Sequence, residues 1–254
     1  MPIPARPTFA TADPRWQYRI TDDGSPTLVQ TSTNDSMHSG CGALAETRYV
    51  YLVGSGVESR LAAGQSTRVL ELGFGTGLGW MVTAQAAIAH RAPLFYLALE
   101  SDLPPAAVIR QLDWHRFIDN RDLVDATIQW FADVEAASGT QTATPPLVFG
   151  NLILEVSLGD AATWCCGPMH EKYQLPDQRF DAIYFDPYSP ESSPQLWQSD
   201  IFAAMHAVAN PDGRLASYCV NRQVRDAMKA AGWNVAKTVG PPGGKREVLV
   251  ASRS

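Results

Sequence analysis

The period of the hydrophobic positions changes several times along the chain, and each change marks an element. Residues 16–20 and 27–31 are short runs flanking D-D-G-S-P, a turn signal, so the N-terminus reads as a β-hairpin. The polar stretch T-S-T-N-D-S-M-H-S-G-C-G follows as a loop. From 43 to 53, A-L-A-E-T-R-Y-V-Y-L-V has helical spacing, with Leu44, Thr47 and Tyr51 on one side and Glu46 and Arg48 elsewhere. A shorter helix covers 57–63. Strands and helices then alternate: strand 69–72, helix 78–89, strand 94–100, helices within 104–112 and 121–137, strand 152–158 and strand 180–186. Helix 198–209, an N-P-D-G turn, strand 213–220, helix 221–231 and strands 233–239 and 247–252 complete the chain. The stretch S-G-T-Q-T-A-T-P-P at 138–146 reads as a surface loop. The run L-F-Y-L-A-L-E at 94–100 is almost unbroken in its apolarity, as in a parallel strand buried on both faces. The last two strands are joined by only a short G-P-P-G-G link, which forces them to be antiparallel, because a parallel crossover needs a dozen or more residues. The pattern predicts an α/β, Rossmann-like fold. A mostly parallel seven-stranded sheet with a C-terminal antiparallel hairpin occupies 66–254, behind an N-terminal hairpin and helical extension at 1–65.

Composition narrows the class. At 254 residues and 45% hydrophobic content, the chain can bury one large core. No window approaches eighteen consecutive apolar residues, and the start M-P-I-P-A-R-P has neither the charged nor the apolar region of a secretion signal, so a soluble, cytoplasmic protein is expected. Cys41, Cys165, Cys166 and Cys219 show no C-x-x-C spacing and the five histidines form no ligand pattern, so no metal is expected. A net charge of −6 argues against a broad nucleic-acid footprint while leaving room for a local basic patch. Arg15, Arg19, Arg222, Arg225, Lys229, Lys237, Lys245 and Arg246 are its candidates, or an ordinary solvated surface.

The candidate chemistry starts at 68–80, R-V-L-E-L-G-F-G-T-G-L-G-W, a strand set against a glycine-rich turn and a helix. Gly73, Gly75 and Gly77 suit a loop that approaches a ligand closely or takes positive φ. A dinucleotide fingerprint would need glycine where Leu78 stands, and a phosphate loop would need Gly-Lys-Ser/Thr. Glu71 adds negative charge where a phosphate gains nothing from it. An amino-bearing cationic ligand is favoured, and S-adenosylmethionine, with its ammonium, sulfonium and adenosine, is the candidate; the alternative is a tight turn that binds nothing. Glu100 falls a little over twenty residues later, where an α/β nucleotide fold places the acid that accepts from ribose hydroxyls. Glu71, Glu100, Asp160 and Asp186 all sit at strand ends, and ligands of open α/β sheets bind there. Asp160 is open between an N-cap and a contact to adenine.

The second signal is Asp186-Pro187-Tyr188-Ser189-Pro190, which resembles the D-P-P-Y motif of enzymes that methylate amino groups on bases. An amine attacking a sulfonium methyl must be neutral; a carboxylate takes its proton, proline stiffens the loop and an aromatic stacks on the base. The competing reading is a proline-rich loop whose aspartate caps the next helix.

With these residues in place, the chain resembles the MnmC-like methyltransferases that make 5-methylaminomethyl-2-thiouridine at the tRNA wobble position, either alone or fused to an FAD-dependent oxidase. D-G-S-P-T-L, G-A-L-A-E-T-R-Y-V-Y-L and E-L-G-F-G-T-G-L-G-W are similar to the family's motifs, the last for E-L-G-F-G-T-G-L-N-F. L-G-D at 158–160, F-D-A-I-Y-F-D at 180–186, P-D-G at 211–213 and K-R-E at 245–247 follow in the family's order. The resemblance implies a class I methyltransferase with S-adenosyl-L-methionine held by Glu71, Gly73, Gly75, Gly77, Glu100 and Asp160. It places Asp186 beside the amine, with Tyr188, Trp197, Lys245 and Arg246 toward the substrate. It implies tRNA as partner and a separate FAD-dependent oxidase in the same pathway, since no G-x-G-x-x-G flavin fingerprint is present. Three departures fall on the substrate side: Pro187 replaces a glycine and Ser193 an asparagine of D-G-F-A-P-x-x-N-P-x-x-W, and the N-terminal F-D-D-x-Y-F-S pattern has become S-T-N-D-S-M-H-S, losing its aromatics. The acceptor is therefore open between the wobble aminomethyl group and another amine, and a cofactor-binding protein without catalysis is the alternative of another class.

Overall fold

The computed structural model describes residues 6–137 and 144–253. Most of the expected loop at 138–146 therefore lies outside the described residues. The N-terminal part forms a three-stranded antiparallel sheet of β1 (Thr8–Ala10), β2 (Trp16–Ile20) and β3 (Pro26–Gln30). β2 and β3 are the expected hairpin; β1 is wholly exposed, so no apolar alternation announced it.

The second sheet has eight strands among the described residues: β4 (Thr67–Leu72), β5 (Leu94–Glu100), β6 (Leu147–Phe149), β7 (Leu152–Leu158), β8 (Phe180–Phe185), β9 (Ala209–Ser217), β10 (Trp233–Val239) and β11 (Glu247–Arg253). Their order is β10-β11-β9-β8-β4-β5-β7-β6. β9, β8, β4, β5 and β7 run parallel, and β10 and β11 form the antiparallel hairpin that the short link required. Seven of these are the expected strands. The eighth, β6, is a three-residue edge strand folded back on β7. The N-P-D-G turn lies inside β9: Phe180 pairs with Ala209 but Ala182 with Arg214, so the extra residues form a bulge rather than a break.

Strand alternation sorts the core into two layers. Leu70, Leu72, Leu97, Leu99, Ile183 and Phe185 face one side, where the helices Ser199–Val208 and Arg222–Ala230 cover them. Val69, Tyr96, Ala98, Ala182 and Tyr184 face the other, under the helices Leu78–His90 and Arg121–Ala136. Glu71 shares the period of Val69 and so points into this second layer, paired in register with Ala98 and Tyr184.

The extension at 43–62 is tied to the N-terminal sheet by its turn. Ala43 N–H donates to Thr21 Oγ1 (3.2 Å), Leu44 N–H to Ser25 Oγ (3.0 Å) and Ala45 N–H to Asp23 Oδ2 (2.9 Å). The T-D-D-G-S turn is thus the cap of the helix Ala43–Glu46, supplying acceptors that its own preceding residue, Gly42, lacks. That helix runs directly into a π-helical turn, Thr47–Val53. No helix of the described residues is long and apolar enough to cross a membrane.

Candidate active site

Beyond the carboxyl ends of the parallel strands lies a cavity of about 540 Å3. The chain runs outward from β4 to β5 on one side and from β8 to β9 on the other, so β4 and β8 flank the switch point at which open α/β sheets bind ligands. Gly73 leaves β4 with φ +90°, and a Cβ there would stand 2.5 Å from the Asp186 carbonyl oxygen. Glycine is therefore what lets the two strand ends meet. Gly75 donates its N–H to Glu100 Oε2 (2.9 Å). Gly77 opens the helix Leu78–His90 against Phe74 and Phe131; it shapes the turn, while Gly73, Phe74, Gly75 and Gly79 supply the wall.

Glu71 is buried, and its Oε2 has no hydrogen-bond partner among the described residues. Burial raises its carboxyl well above the usual range, the neighbouring Tyr96 hydroxyl works against this, and Asp186 and Glu100 add to it. Gly79 is what makes room: a Cβ there would fall on Glu71 Oε1 and within 2.8 Å of the Tyr96 hydroxyl. Glu100 accepts from Ser101 N–H (2.7 Å) and Asp102 N–H (3.0 Å) as well as Gly75. Burial raises it while these three backbone donors oppose the rise. Asp160 caps the short helix Ala161–Cys165 through Ala162 N–H (3.0 Å), the N-cap reading, and also lines the cavity.

Asp186 ends the run of β8 and faces the cavity. Tyr51 donates its hydroxyl to Asp186 Oδ1 at 2.5 Å. Burial raises Asp186 well above the carboxylate range, Glu46 adds to the rise, and Tyr51 and Lys245 oppose it. The loop beyond is clamped by its carbonyls: Tyr218 donates to Pro187 O (3.0 Å) and Trp197 Nε1 to Tyr188 O (2.9 Å). Tyr188 and Ser193 line the cavity, whereas Trp197 does not; its indole is packed on Phe185 and Tyr218. Lys245 lies 3.9 Å above the Tyr218 ring at the cavity wall, and its neighbour Arg246 is exposed and apart from it. Of the other basic candidates, Arg15, Arg222 and Lys237 are engaged with Asp13 and Asp102, Asp226 and Glu247 respectively.

Sequence reasoning did not single out Glu46, Tyr51, Tyr218 or His38, all of which line the cavity. Glu46 was expected away from the Tyr51 side; the π-helical turn between them brings both to the same wall. The signal available was the A-E-T-R-Y-V-Y motif itself, read only as a helix. His38 bonds Thr27 Oγ1 (3.0 Å), and burial lowers its imidazole to about 4, so it is neutral.

A buried carboxylate oxygen without a partner, an acid gathered at a strand end and a glycine cradle suit a ligand that brings N–H and O–H donors and positive charge, as S-adenosylmethionine does. Comparison with known proteins points the same way. Residues 140–254 match the family described as S-adenosyl-L-methionine-dependent methyltransferase. The chain is 29% identical over 258 residues to the tRNA 5-methylaminomethyl-2-thiouridine biosynthesis bifunctional protein MnmC of Chromohalobacter salexigens, covering 97% of this chain and 34% of that protein. It is 31% identical over 241 residues to the protein of the same name from Thiobacillus denitrificans, covering 90% and 35%. The chain thus spans about a third of the length of these relatives. The crystal structure of MnmC2 from Aquifex aeolicus superposes with a TM-score of 0.69 at 21% identity, covering 98% of this chain and 70% of that one, and shares the fold.

Proposed function

We propose that this chain is an MnmC-like S-adenosyl-L-methionine-dependent methyltransferase and that it methylates the aminomethyl group of a wobble uridine in tRNA. The observation that carries the reading is Asp186, a half-buried carboxylate at the switch point that lines the same cavity as the glycine turn, Glu71 and Glu100. S-adenosylmethionine, when bound, supplies a methyl group on a sulfonium for direct displacement. Glu71 and Glu100 are read as its acceptors for ammonium and ribose hydroxyls, Gly73 and Gly75 as the close-approach wall, Gly77 as the residue shaping the turn, and Asp160 as the adenine side. The acceptor amine enters from the side of Tyr188, Ser193 and Lys245. There Asp186 takes its proton, Tyr188 offers a stacking face and Trp197 holds the loop. Arg246 is assigned to the exposed approach of the nucleic acid. Residues 1–65 serve as an extension that closes the acceptor side, and 66–254 as the methyltransferase domain. An oxidation step needed to generate the amine would fall to a separate FAD-dependent enzyme.

The test has two arms. Calorimetry should give saturable S-adenosylmethionine binding that Glu71→Ala weakens at least about tenfold, roughly 1.4 kcal/mol; unchanged affinity would remove the cofactor assignment. Undermodified tRNA carrying aminomethyl-uridine should accept methyl groups, while matched tRNA without the aminomethyl group should not. Transfer to small amines instead would identify a different acceptor, and binding without transfer to any amine would leave a cofactor-binding protein.

A further inference from the structure

We infer that Tyr51 is a positioning residue that aims Asp186 at the acceptor nitrogen, and that the π-helical turn Thr47–Val53 delivers it there; this rests on the proposed amine acceptor. The two residues lie 135 positions apart in the chain, yet the phenol meets Asp186 Oδ1 at 2.5 Å. The Tyr51 ring is buried and rests 5.4 Å from Tyr184, the register partner of Glu71. Ser55 Oγ holds the Tyr51 carbonyl at 2.5 Å from the next turn. The donor is therefore fixed at both its backbone and its ring. A carboxylate at a strand end can rotate about its Cβ–Cγ bond. With Oδ1 engaged its plane is set, and Oδ2 is left as acceptor for a ligand.

The turn geometry explains why Tyr51 reaches. Five residues advance about 140° around an α-helix, which would put Glu46 and Tyr51 on different faces. In a π-turn the hydrogen bond runs from i to i+5, as from Gly54 N–H to the Tyr49 carbonyl at 3.1 Å, so residues five apart come close to one face. Glu46, Thr47 and Tyr51 all line the cavity as a result. Such turns are rare and concentrate at functional sites.

In the transfer, the amine nitrogen forms its bond to the methyl carbon with its lone pair, the carbon–sulfur pair stays on sulfur, and the N–H proton passes to the Asp186 carboxylate. Asp186 must be ionised for this. The groups facing it are Glu46 and Tyr51 from the extension, Glu71 and Tyr96 from β4 and β5, Tyr218 from beyond β9, and Lys245 from the loop before β11. Burial and the Glu46 carboxyl disfavour a charge there. Tyr51 stabilises it by direct hydrogen bonding, and Lys245 by its charge.

Tyr51→Phe removes that donor and keeps the ring. Carboxyl 13C NMR, with Asp186→Asn to assign the resonance, should show the Asp186 midpoint rising by about one pH unit or more, the size of one hydrogen bond to a charged group. The acid limb of kcat against pH should move up with it, and kcat at pH 7 should fall about tenfold or more, with S-adenosylmethionine affinity unchanged. An unmoved or lowered midpoint overturns the inference. Should Tyr51→Phe lose its fold by circular dichroism, 3-fluorotyrosine at 51, a stronger donor of nearly the same shape, should lower the midpoint, and no change there overturns it equally. The carboxyl titration reads Tyr51 whether or not any amine is methylated, whereas wild-type turnover reads the proposed function, so the two can fail separately.

Discussion

Glu71 is the residue at which the proposed cofactor binding and stability oppose one another. Its carboxyl is raised by burial, so its contribution to stability is present below the usual carboxylate range and is lost as pH rises through its raised value. Glu71→Gln should therefore raise the melting temperature of the ligand-free protein at pH 7–8, with the gain shrinking toward pH 4, while S-adenosylmethionine binding measured by calorimetry falls at least about tenfold. A variant less stable than wild type at pH 8 would contradict this. His38 has the opposite sign. Its imidazole is lowered to about 4, so its contribution is present above its usual 6.5 and is lost as pH falls through about 4. The stability advantage of wild type over His38→Gln should shrink across that window in chemical denaturation. Glu71 was legible in the sequence because a carboxylate inside a strand end, before G-x-G-x-G, is chemically out of place for phosphate. That its Oε2 has no hydrogen-bond partner among the described residues was not legible, because that depends on how Tyr96 and Gly79 pack around it across the layer.

At the scale of elements, two segments carry the acceptor side. The T-D-D-G-S turn caps the helix Ala43–Glu46 through three separate acceptors, Thr21, Asp23 and Ser25, so Asp23→Ala should cost about 1–2 kcal/mol in urea denaturation. Because that helix leads into Tyr51, the same variant should raise KM for the acceptor more than Kd for the cofactor. The glycine turn makes the complementary case. Gly79→Ala drives a methyl into Glu71 Oε1 and Tyr96, and should weaken cofactor binding while costing about 1–3 kcal/mol of stability. The helix 43–53 was legible from its spacing, but an α-helical advance of about 100° per residue separates Glu46 from Tyr51. A π-turn leaves no hydrophobic period of its own, since it shifts only one hydrogen-bond register. The short strands β1 and β6 escaped for a related reason: three residues are too few to display a period of two.

Across the whole molecule, the parallel strands and the terminal hairpin were legible because buried strands write continuous apolar runs and short links forbid crossovers. The convergence of Glu71, Glu100, Asp160 and Asp186 followed from their places at strand ends, and all four line one cavity. What pattern alone left open was the fourth wall, which the N-terminal sheet and extension supply through His38, Glu46 and Tyr51. That wall brings one further carboxyl, Glu46, to the cavity beside Asp186. The nucleosides recovered after incubating undermodified tRNA with methyl-labelled S-adenosylmethionine test the central claim most directly. Wild type should place a single label on the aminomethyl nitrogen of the wobble uridine, and Asp186→Asn should abolish it with cofactor affinity retained. Label absent from that nucleoside with wild type, or undiminished in Asp186→Asn, would contradict the account.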